Sequence, residues 1–340
     1  MREITADLER WHAANERVAL ATVVATRRSA PRPVGSKLGV SSGGELAGSV
    51  SGGCVENEVY GAAQEVLAGA PPRLLTYGIS DDLALEVGLP CGGEIDVWVE
   101  QPARETLDRL ARAERAGRFV VLDDGGADLV VTEAGDASGT APAELAALAP
   151  DLIRGGRSRL VELEGKTVFA DVVAPPPRLL VFGAVDTAEA LCRAAHGLGW
   201  TTVVADARAK FATLERIPSA DELIVAWPEE ALARVAPDHA TAVVVLTHDD
   251  RFDVPALAGA LATEAFYVGA LGSRRNQERR RERLLEAGVP EDQIDRIAGP
   301  AGLDIGASTP SETALSILAE IVARRAGREG GPLKEARGRI

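Results

Sequence analysis

Hydrophobic and polar positions follow two different patterns in the two halves of the chain. In the second half, short runs rich in β-branched residues alternate with longer stretches of helical character. Continuous apolar runs of this kind are typical of strands in a parallel sheet that is buried on both faces. The runs lie at residues 178–182, 201–205, 222–226, 242–247 and 265–268. The second half is therefore predicted to fold as a doubly wound α/β domain with a parallel sheet.

The first half contains shorter and more varied elements. The predicted elements are a strand at 18–26, a hairpin formed by 37–40 and 45–50, a helix at 55–68, and strands at 73–77 and 94–100. A further helix and several short strands are predicted up to residue 171, and we find no internal sequence repeat. This mixture predicts an α+β domain.

Three consecutive prolines at residues 175–177 mark the sharpest change in composition. Proline fixes φ and has no backbone N–H to donate, so such a run forms an extended spacer and not a helix. The predicted organisation is an N-terminal domain over residues 1–172, a linker over 173–177, a C-terminal domain over 178–330 and a disordered tail over 331–340.

Composition and charge narrow the class of protein. Of 340 residues, 46% are hydrophobic, as in a globular chain, and three cysteines are too few for a disulfide framework. The formal charge of −14 disfavours nucleic acid and anionic membranes as partners, and Glu278 and Glu282 interrupt the basic run at 274–283 as on a solvated helix face. Without a membrane-spanning run or a signal-peptide pattern, a cytoplasmic location is expected.

Two cysteines lie beside glycines in candidate ligand-binding loops. Gly52 and Gly53 precede Cys54 where a strand is predicted to lead into a helix, a geometry that can direct backbone N–H groups at an anion. Cys54 is expected in the first helical turn, where the helix dipole favours the thiolate that ligates metals or accepts sulfur. Cys91 is followed by two further glycines. The alternative for both cysteines is that of small buried hydrophobic residues.

An incomplete dinucleotide-binding motif follows the strand predicted at 178–182. Gly183 provides the tight turn and Ala188 can replace the last glycine of the motif, but Val185 stands where a glycine lets the pyrophosphate approach. Asp206 ends the next strand, at the position of a ribose-binding acid or of a helix cap. Because Val185 replaces that glycine, NAD(P) binding of the usual kind is disfavoured. Cys192, in the following helix, is assigned to the core.

A second glycine-rich loop predicts a phosphate site. Gly269 and Gly272 follow the strand predicted at 265–268, and Ser273 and Arg274 begin a basic helix. Glycine N–H groups, a hydroxyl, the helix dipole and a guanidinium converge in such a loop, as they do around bound phosphate. A capped helix with exposed arginines is the alternative interpretation.

Two other loops are predicted at the edge of the sheet where ligands of α/β proteins bind. Asp304 and Gly306 precede a helix for which Thr309 and Glu312 form a capping box. His248 follows a buried strand and is a candidate general acid or base, or a hydrogen-bonded loop histidine.

In combination, these motifs resemble the XdhC/CoxI family of xanthine dehydrogenase and CO dehydrogenase accessory factors. The segments that carry the resemblance are residues 27–36, 48–56, 88–93, 246–250, 269–275 and 302–310. They occur in both halves in the family's order, so the resemblance covers nearly the whole chain. It implies an N-terminal XdhC/CoxI domain of α+β class, a C-terminal Rossmann-like domain and a possible homodimer.

The resemblance also implies a function. Proteins of this family bind molybdenum cofactor (molybdopterin), support its sulfuration with a cysteine desulfurase, and deliver it to a xanthine dehydrogenase-like enzyme. By position, Cys54 and Cys91 become candidates for contacting molybdenum or its sulfur ligand. Gly272, Ser273 and Arg274 become candidates for binding the pterin phosphate or a nucleotide phosphate. A cofactor-binding chaperone is therefore expected in preference to a turnover enzyme.

Two alternatives are kept open. An NAD(P)-dependent oxidoreductase is indicated by the Rossmann-like half, Asp206 and His248, and the incomplete glycine motif counts against it. A non-catalytic scaffold for a large oxidoreductase would use the nucleotide-like fold only as structure. We further hypothesise that the Cys54 and Ser273 loops face one shared cleft.

Overall fold

The computed structural model describes residues 1–28, 30–78, 93–123 and 125–335, and it divides into two compact units, residues 1–175 and 176–335. The helices are α1 (Thr5–Ala13), α2 (Glu56–Leu67), α3 (Arg104–Arg112), α4 (Ala149–Gly155), α5 (Asp186–His196), α6 (Pro228–Val235), α7 (Asp250–Leu261), α8 (Arg274–Glu286), α9 (Glu291–Ile294) and α10 (Pro310–Arg325). The strands are β1 (Val18–Arg27), β2 (Lys37–Ser41), β3 (Leu46–Gly48), β4 (Arg73–Tyr77), β5 (Glu94–Glu100), β6 (Ala116–Val121), β7 (Asp128–Thr132), β8 (Ala137–Gly139), β9 (Arg159–Leu163), β10 (Lys166–Val173), β11 (Arg178–Phe182), β12 (Thr201–Ala205), β13 (Glu222–Ile224), β14 (Thr241–Val245), β15 (Tyr267–Ala270) and β16 (Ile297–Ala298).

The first unit contains two antiparallel sheets of the same topology. The first sheet has the order β3-β2-β1-β5-β4 and the second has the order β8-β7-β6-β10-β9. In each sheet the first strand is central, the next two pair outwards from it, a helical segment follows, and the last two strands complete the other side. The two halves of this unit therefore share a βββαββ arrangement that the sequence does not reveal.

The strands of these sheets alternate between two buried faces. In the first sheet, Ala19, Ala21 and Val23 face α2, and in the second, Phe119 and Val121 face α4. The opposite faces meet in part through a shared apolar cluster of Val24, Trp98, Val120 and Phe169. The rest of these inner faces packs against α1 and α3. The helices α2 and α4 therefore cover the outer faces of two sheets that face each other, with α1 and α3 on the inner side.

The second unit is a doubly wound domain. Its six strands are all parallel and lie in the order β13-β12-β11-β14-β15-β16. One apolar cluster fills the face covered by α5 and α10, and another fills the face covered by α6 and α7. This is the strand order of the Rossmann fold, in which β11 and β14 flank the point where the order reverses. The predicted fold class, α+β followed by Rossmann-like α/β, is confirmed.

Several element boundaries differ from the sequence-based predictions. The strand predicted at 265–268 runs from Tyr267 to Ala270, and the two-residue strand β16 was not predicted. Within the segment predicted to be a disordered tail, Leu333–Glu335 forms one 3-10 turn, and residues 336–340 lie outside the described residues. Among the described residues, no helix has both the length and the apolar character needed to cross a bilayer.

Candidate functional site

The carboxyl ends of the parallel strands bring several of the predicted site residues to one edge of the second unit. Gly183 follows β11, Asp206 follows β12, His248 lies in the loop after β14, and Ser273 follows β15. In open α/β sheets, ligands bind at this edge, next to the point where the strand order reverses. We call it the carboxyl edge. A cofactor site in this unit is therefore expected there.

Gly183 brings the loop after β11 close to the loop after β14, on the other side of the reversal point. Its φ is +107°, and a Cβ at this position would lie 2.7 Å from the methyl group of Thr247. Glycine is thus required both for the backbone conformation and for space. The predicted tight turn after β11 is present.

The carboxylate of Asp206 is fully engaged by its own surroundings. Oδ1 accepts hydrogen bonds from the backbone N–H and Nε of Arg208, both at 2.9 Å. Oδ2 accepts from the guanidinium of Arg208 at 2.7 Å and from the backbone N–H of Ala184 at 2.9 Å. A carboxylate offers about four acceptor positions, and these contacts use four. Asp206 therefore closes the Gly183 turn instead of presenting free oxygens to a ribose.

Electrostatics keep Asp206 ionised. Burial alone would raise the pKa of its carboxyl, but the Arg208 guanidinium and the backbone donors outweigh burial and lower the pKa. The backbone N–H of Ala184 donates to Asp206, and the backbone N–H of Val185 donates to Gly183 O at 3.0 Å. These two N–H groups therefore already have acceptors within the protein, whereas in a typical dinucleotide site the backbone of this loop approaches the pyrophosphate.

The Ser273 loop keeps more of its predicted phosphate-binding character. Gly272 has a φ of +140°, and the Ser273 hydroxyl caps α8 by accepting from the backbone N–H of Asn276 at 3.3 Å. Arg274 and Arg275 are exposed, and within the described part of the chain neither forms an ion pair with a carboxylate. Two uncompensated cations thus lie at the positive end of a helix dipole, which favours an anion there.

Gly269 does not belong to this loop. It lies inside β15 and is buried, and a Cβ there would lie 2.6 Å from the Tyr267 ring. The sequence placed it after the strand because the predicted strand ended too early. Its glycine is explained by packing against Tyr267.

A buried ion pair supports the loops at the carboxyl edge. Asp253 on α7 accepts from the Thr247 hydroxyl and from the Arg280 guanidinium, the latter at 2.7 Å. Arg280 also donates to the backbone carbonyl of Leu271 at 3.2 Å. Arg280 is only 4% exposed, so the prediction that the basic run of α8 is a solvated face is wrong at this position. The pair ties the loops after β14 and β15 to two helices.

The remaining predicted residues of this unit are exposed. His248 lies in the loop between β14 and α7, and Asp304 and Gly306 lie in the loop before α10. That loop starts beside β15, since the N–H of Ala301 donates to Ala270 O at 3.0 Å. The capping box predicted for α10 is confirmed, with Thr309 as the N-cap.

The Cys54 loop in the first unit is organised around an internal anion. The carboxylate of Glu56 accepts from the hydroxyls of Ser49 and Ser51, at 2.6 and 2.5 Å, and from the N–H groups of Ser51 and Gly53, at 2.9 and 2.8 Å. Ser51 Oγ in turn accepts from the N–H of Cys54 at 2.9 Å. The loop was predicted to direct N–H groups at an anion, and Glu56 supplies one.

Cys54 lies outside the helix and is exposed, in contrast to its predicted position. The helix begins at Glu56, so Cys54 precedes it, and the prediction that Cys54 lies in the first helical turn is wrong. Its side chain is exposed. Burial opposes ionisation of Glu56, but the serine hydroxyls and backbone donors lower its pKa to about 2. The loop thus holds an exposed thiol on a backbone fixed by a carboxylate that stays ionised near neutral pH.

The other cysteines fall elsewhere. Cys91 lies outside the described residues. Cys192 is completely buried in α5, and burial raises the pKa of its thiol to about 12, as expected for a core residue. Among the described residues, no group of three or more His, Cys, Asp or Glu side chains is arranged to hold a metal ion.

Sequence reasoning missed three features of these loops: the role of Glu56, the Asp253–Arg280 pair, and an exposed Trp227 stacked on Phe252. Glu56 could have been found from the spacing Ser51-x4-Glu56 across a Gly-Gly turn. The other two join residues 27 and 25 positions apart, for which no local signal exists.

Comparison with known proteins assigns both units. The family model described as XdhC Rossmann domain matches residues 179–321, and the model described as XdhC and CoxI family matches residues 11–78. The chain is similar to a crystal structure of a xanthine dehydrogenase from Bacillus halodurans, with a TM-score of 0.70, 26% identity, and 98% of each chain covered.

Two relatives match along most of their length. The chain is 30% identical to a probable xanthine dehydrogenase subunit of Bacillus subtilis (strain 168), covering 91% of this chain and 94% of that protein. It is 29% identical to the molybdenum cofactor insertion chaperone PaoD of Escherichia coli (strain K12), covering 91% of this chain and 84% of that protein. This chain therefore belongs to the XdhC and CoxI family.

Proposed function

We propose that this protein is an accessory factor that binds molybdenum cofactor and delivers it to a xanthine dehydrogenase-like molybdoenzyme. The observation that carries the proposal is the similarity to a molybdenum cofactor insertion chaperone over 91% of this chain. In this role the cofactor is cargo, so the protein needs a site that recognises it and releases it unchanged.

The Ser273 loop is the proposed phosphate site. Molybdopterin carries a phosphate, and Gly272, Ser273 and Arg274 offer a left-handed glycine, a hydroxyl and an exposed guanidinium at the N-terminus of a helix of 13 residues. The buried Asp253–Arg280 pair holds this loop in place. Asp304 and Gly306 are proposed to border the same site, because their loop begins beside β15.

The Cys54 loop is the proposed contact for molybdenum or its sulfur ligand. A thiolate is a suitable soft ligand for sulfur-rich metal chemistry, and Cys54 is exposed on a loop that Glu56 fixes. Gly52 and Gly53 have φ of +77° and +116°, and a Cβ at either position would meet no atom within 4 Å. Glycine is therefore favoured there by the backbone conformation, and the surface around it is open. Cys91 is proposed as a second sulfur ligand on sequence grounds alone.

Finer steps of this role belong to the same proposal. We propose that a cysteine desulfurase is the source of the sulfur ligand of the bound cofactor. We also propose that the protein acts in the cytoplasm and that a homodimer is the functional form.

The geometry of Asp206 weighs against the alternative of an NAD(P)-dependent oxidoreductase. All four acceptor positions of its carboxylate are used within the Gly183 turn and by Arg208. A ribose diol would have to displace Arg208, at the cost of a charge-assisted hydrogen-bond pair. Gly183 therefore has a structural role in this proposal.

The test is the molybdenum and pterin content of protein purified anaerobically from a host that makes the cofactor. We expect bound pterin in the wild type, most of it lost in the double variant Arg274→Ala/Arg275→Ala. The matched control Arg283→Ala removes a cation from the same helix, at a position paired with Glu286, and should retain the cofactor.

Two results would contradict the proposal. One is wild-type protein without pterin that also fails to activate an apo-molybdoenzyme of the xanthine dehydrogenase class. The other is a rise in melting temperature on adding NAD(P), which would support the oxidoreductase. Cys54→Ser should keep the pterin and lower client activation if the thiol acts on molybdenum or sulfur.

A further inference from the structure

A stacked aromatic pair, an exposed Trp227 on a partly buried Phe252, lies at the carboxyl edge outside the Gly183 and Ser273 loops. The rings of Trp227 and Phe252 stack with centroids 4.6 Å apart and an interplanar angle of 16°. Trp227 is 50% exposed, whereas the other three tryptophans of the chain are at most 5% exposed. An indole fixed against a second ring but open to solvent presents a rigid flat surface, and stacking of another flat ring on it requires little further ordering.

Trp227 and Phe252 lie in the segments that follow the carboxyl ends of β13 and β14. Trp227 is the N-cap of α6, three residues after the end of β13, and Phe252 lies in the first turn of α7, four residues after His248. Both helices cover the same face of the sheet. The stacked rings are thus part of the edge at which open α/β sheets bind their ligands.

The charges around the pair indicate what kind of ring would fit. Glu229 and Glu230 lie in the first turn of α6 and are exposed, and within the described ranges neither makes an ion pair or a side-chain hydrogen bond. Asp249 and Asp250, in contrast, pair with Arg251 and Arg279. Two carboxylates with unused acceptor positions therefore lie two and three residues after Trp227 in the chain.

We propose that Trp227 is the stacking surface for a fused 2-amino-4-oxo heterocycle, the ring system shared by guanine and pterin. Such a ring offers an N–H and an amino group on one edge, and a carboxylate accepts from both. Glu229 or Glu230 would bind this edge while the ring stacks on the indole. The inference rests on the proposed function for the nature of the cargo, and it adds the subsite for the cargo's ring.

Other flat or cationic groups fit this surface less well. Adenine presents an unprotonated ring nitrogen next to its amino group. Only the amino group could donate to a carboxylate, and the ring nitrogen would face a carboxylate oxygen with no proton between the two atoms. An arginine of a partner protein could also stack on the indole. That occupant is a competing outcome of the test.

The test uses the full chain with three probes: guanosine 5′-monophosphate (GMP), adenosine 5′-monophosphate (AMP) and neopterin phosphate. Binding is measured by calorimetry, and GMP binding also by tryptophan fluorescence, because Trp227 is the exposed indole. The variants are Trp227→Ala, Trp227→Phe and Glu229→Gln/Glu230→Gln. Val225→Ala is the matched control, since Val225 is a 53% exposed apolar residue on the same edge. Melting temperatures verify that each variant folds.

We expect GMP and neopterin phosphate to bind more tightly than AMP, and the tighter of the two identifies the source of the ring. Trp227→Ala should weaken both by about 5- to 150-fold, the range for stacking one base on one aromatic side chain. Trp227→Phe should keep most of the affinity but lose the fluorescence quenching. Glu229→Gln/Glu230→Gln should remove the preference over AMP, and Val225→Ala should behave as wild type.

Equal binding of GMP and neopterin phosphate to wild type and Trp227→Ala would overturn the inference, as would the absence of binding to the wild type. Loss of client binding in Trp227→Ala, with no effect on the probes, would overturn it in favour of a partner's arginine. The proposed function fails separately: wild type that purifies without pterin but binds GMP through Trp227 keeps the subsite and loses the chaperone role. Pterin retained equally by wild type and Trp227→Ala removes the subsite alone.

Discussion

We expect Arg118→Met to destabilise the first unit by about 3–5 kcal/mol, the cost of breaking a buried ion pair by removing one partner. Arg118 is 2% exposed on β6 and donates from both terminal nitrogens to Glu100 at the end of β5, at 2.6 and 2.9 Å. Its Nε donates to Asp128 at 2.6 Å. The substitution leaves two buried carboxylates without their cation.

The position of Arg118 explains why the effect should be large. Glu100 belongs to the first sheet, and Arg118 and Asp128 belong to the second, so these three charged side chains lie between the two sheets. Burial lowers the pKa of Arg118, but the two carboxylates outweigh burial and raise it, so the guanidinium remains charged. Lys37 and Asp171 form a second buried pair between the same sheets, at 2.7 Å. Buried pairs of this kind are costly to break on one side and can fix how two layers align.

The assay is hydrogen exchange measured by mass spectrometry, which reports the opening free energy of individual strands. Strands β5, β6 and β10 should lose protection in Arg118→Met, while β11 and β14 of the second unit serve as an internal reference. Arg10→Met is the control, because Arg10 is exposed and pairs only at the surface. The triple variant Arg118→Met/Glu100→Gln/Asp128→Asn should recover much of the loss, since it removes the unpaired charges. The reasoning is refuted if Arg118→Met changes β6 by no more than Arg10→Met does.

Three further substitutions test individual loops. Glu56 has a pKa of about 2 in the folded protein against an ordinary 4.5, so its contribution is fully present above pH 4.5 and is lost as the pH falls towards 2. Glu56→Gln should therefore destabilise more at pH 7 than at pH 3 in urea denaturation, and an equal effect at both would contradict this. Gly183→Ala should cost about 1–3 kcal/mol from backbone strain alone, and the 2.7 Å approach of the added Cβ to Thr247 should increase this cost. Gly199 is the control, because its φ is +71° but an added Cβ would meet open space, so Gly199→Ala should cost less in thermal unfolding. Equal losses of stability in the two variants would rule out the steric argument. Thr309→Ala should cost about 0.5–2 kcal/mol through the lost N-cap, seen as reduced exchange protection in the first turn of α10, and unchanged protection there would count against the capping box.

The architecture of the second unit could be predicted because its signals are local. Continuous apolar runs indicate strands covered on both faces, and Gly183 and Thr309 mark a turn and a helix start through their immediate neighbours. The boundaries were less accurate where a strand is short. β16 contains two residues, and β15 begins two residues later than predicted because Ala265 and Phe266 are apolar without belonging to the sheet.

The chemistry of the loops was harder to predict because it depends on which polar groups satisfy each other. Asp206 stands at the position of a ribose-binding acid, yet its oxygens are used by Arg208 and Ala184. Arg280 belongs to a run of exposed charges on α8 and is nevertheless the residue that turns inward, towards Asp253. Composition and spacing identify such residues, but their partners are set by the tertiary fold.

The two sheets of the first unit differ in the length of their corresponding connections. Both sheets follow the same βββαββ arrangement, so corresponding connections can be compared. Between the last two strands, the second sheet has the two residues 164–165, whereas the first has residues 78–93, which include Cys91. Between the third strand and the helical segment, the second sheet has residues 140–142 and the first has residues 49–55, which include Cys54. Because β3 and β4 run in the same direction, their last residues, Gly48 and Tyr77, lie at the same end of the first sheet. The second sheet completes the same topology with the shorter connections, and both cysteines of the proposed sulfur chemistry lie in the longer connections of the first sheet.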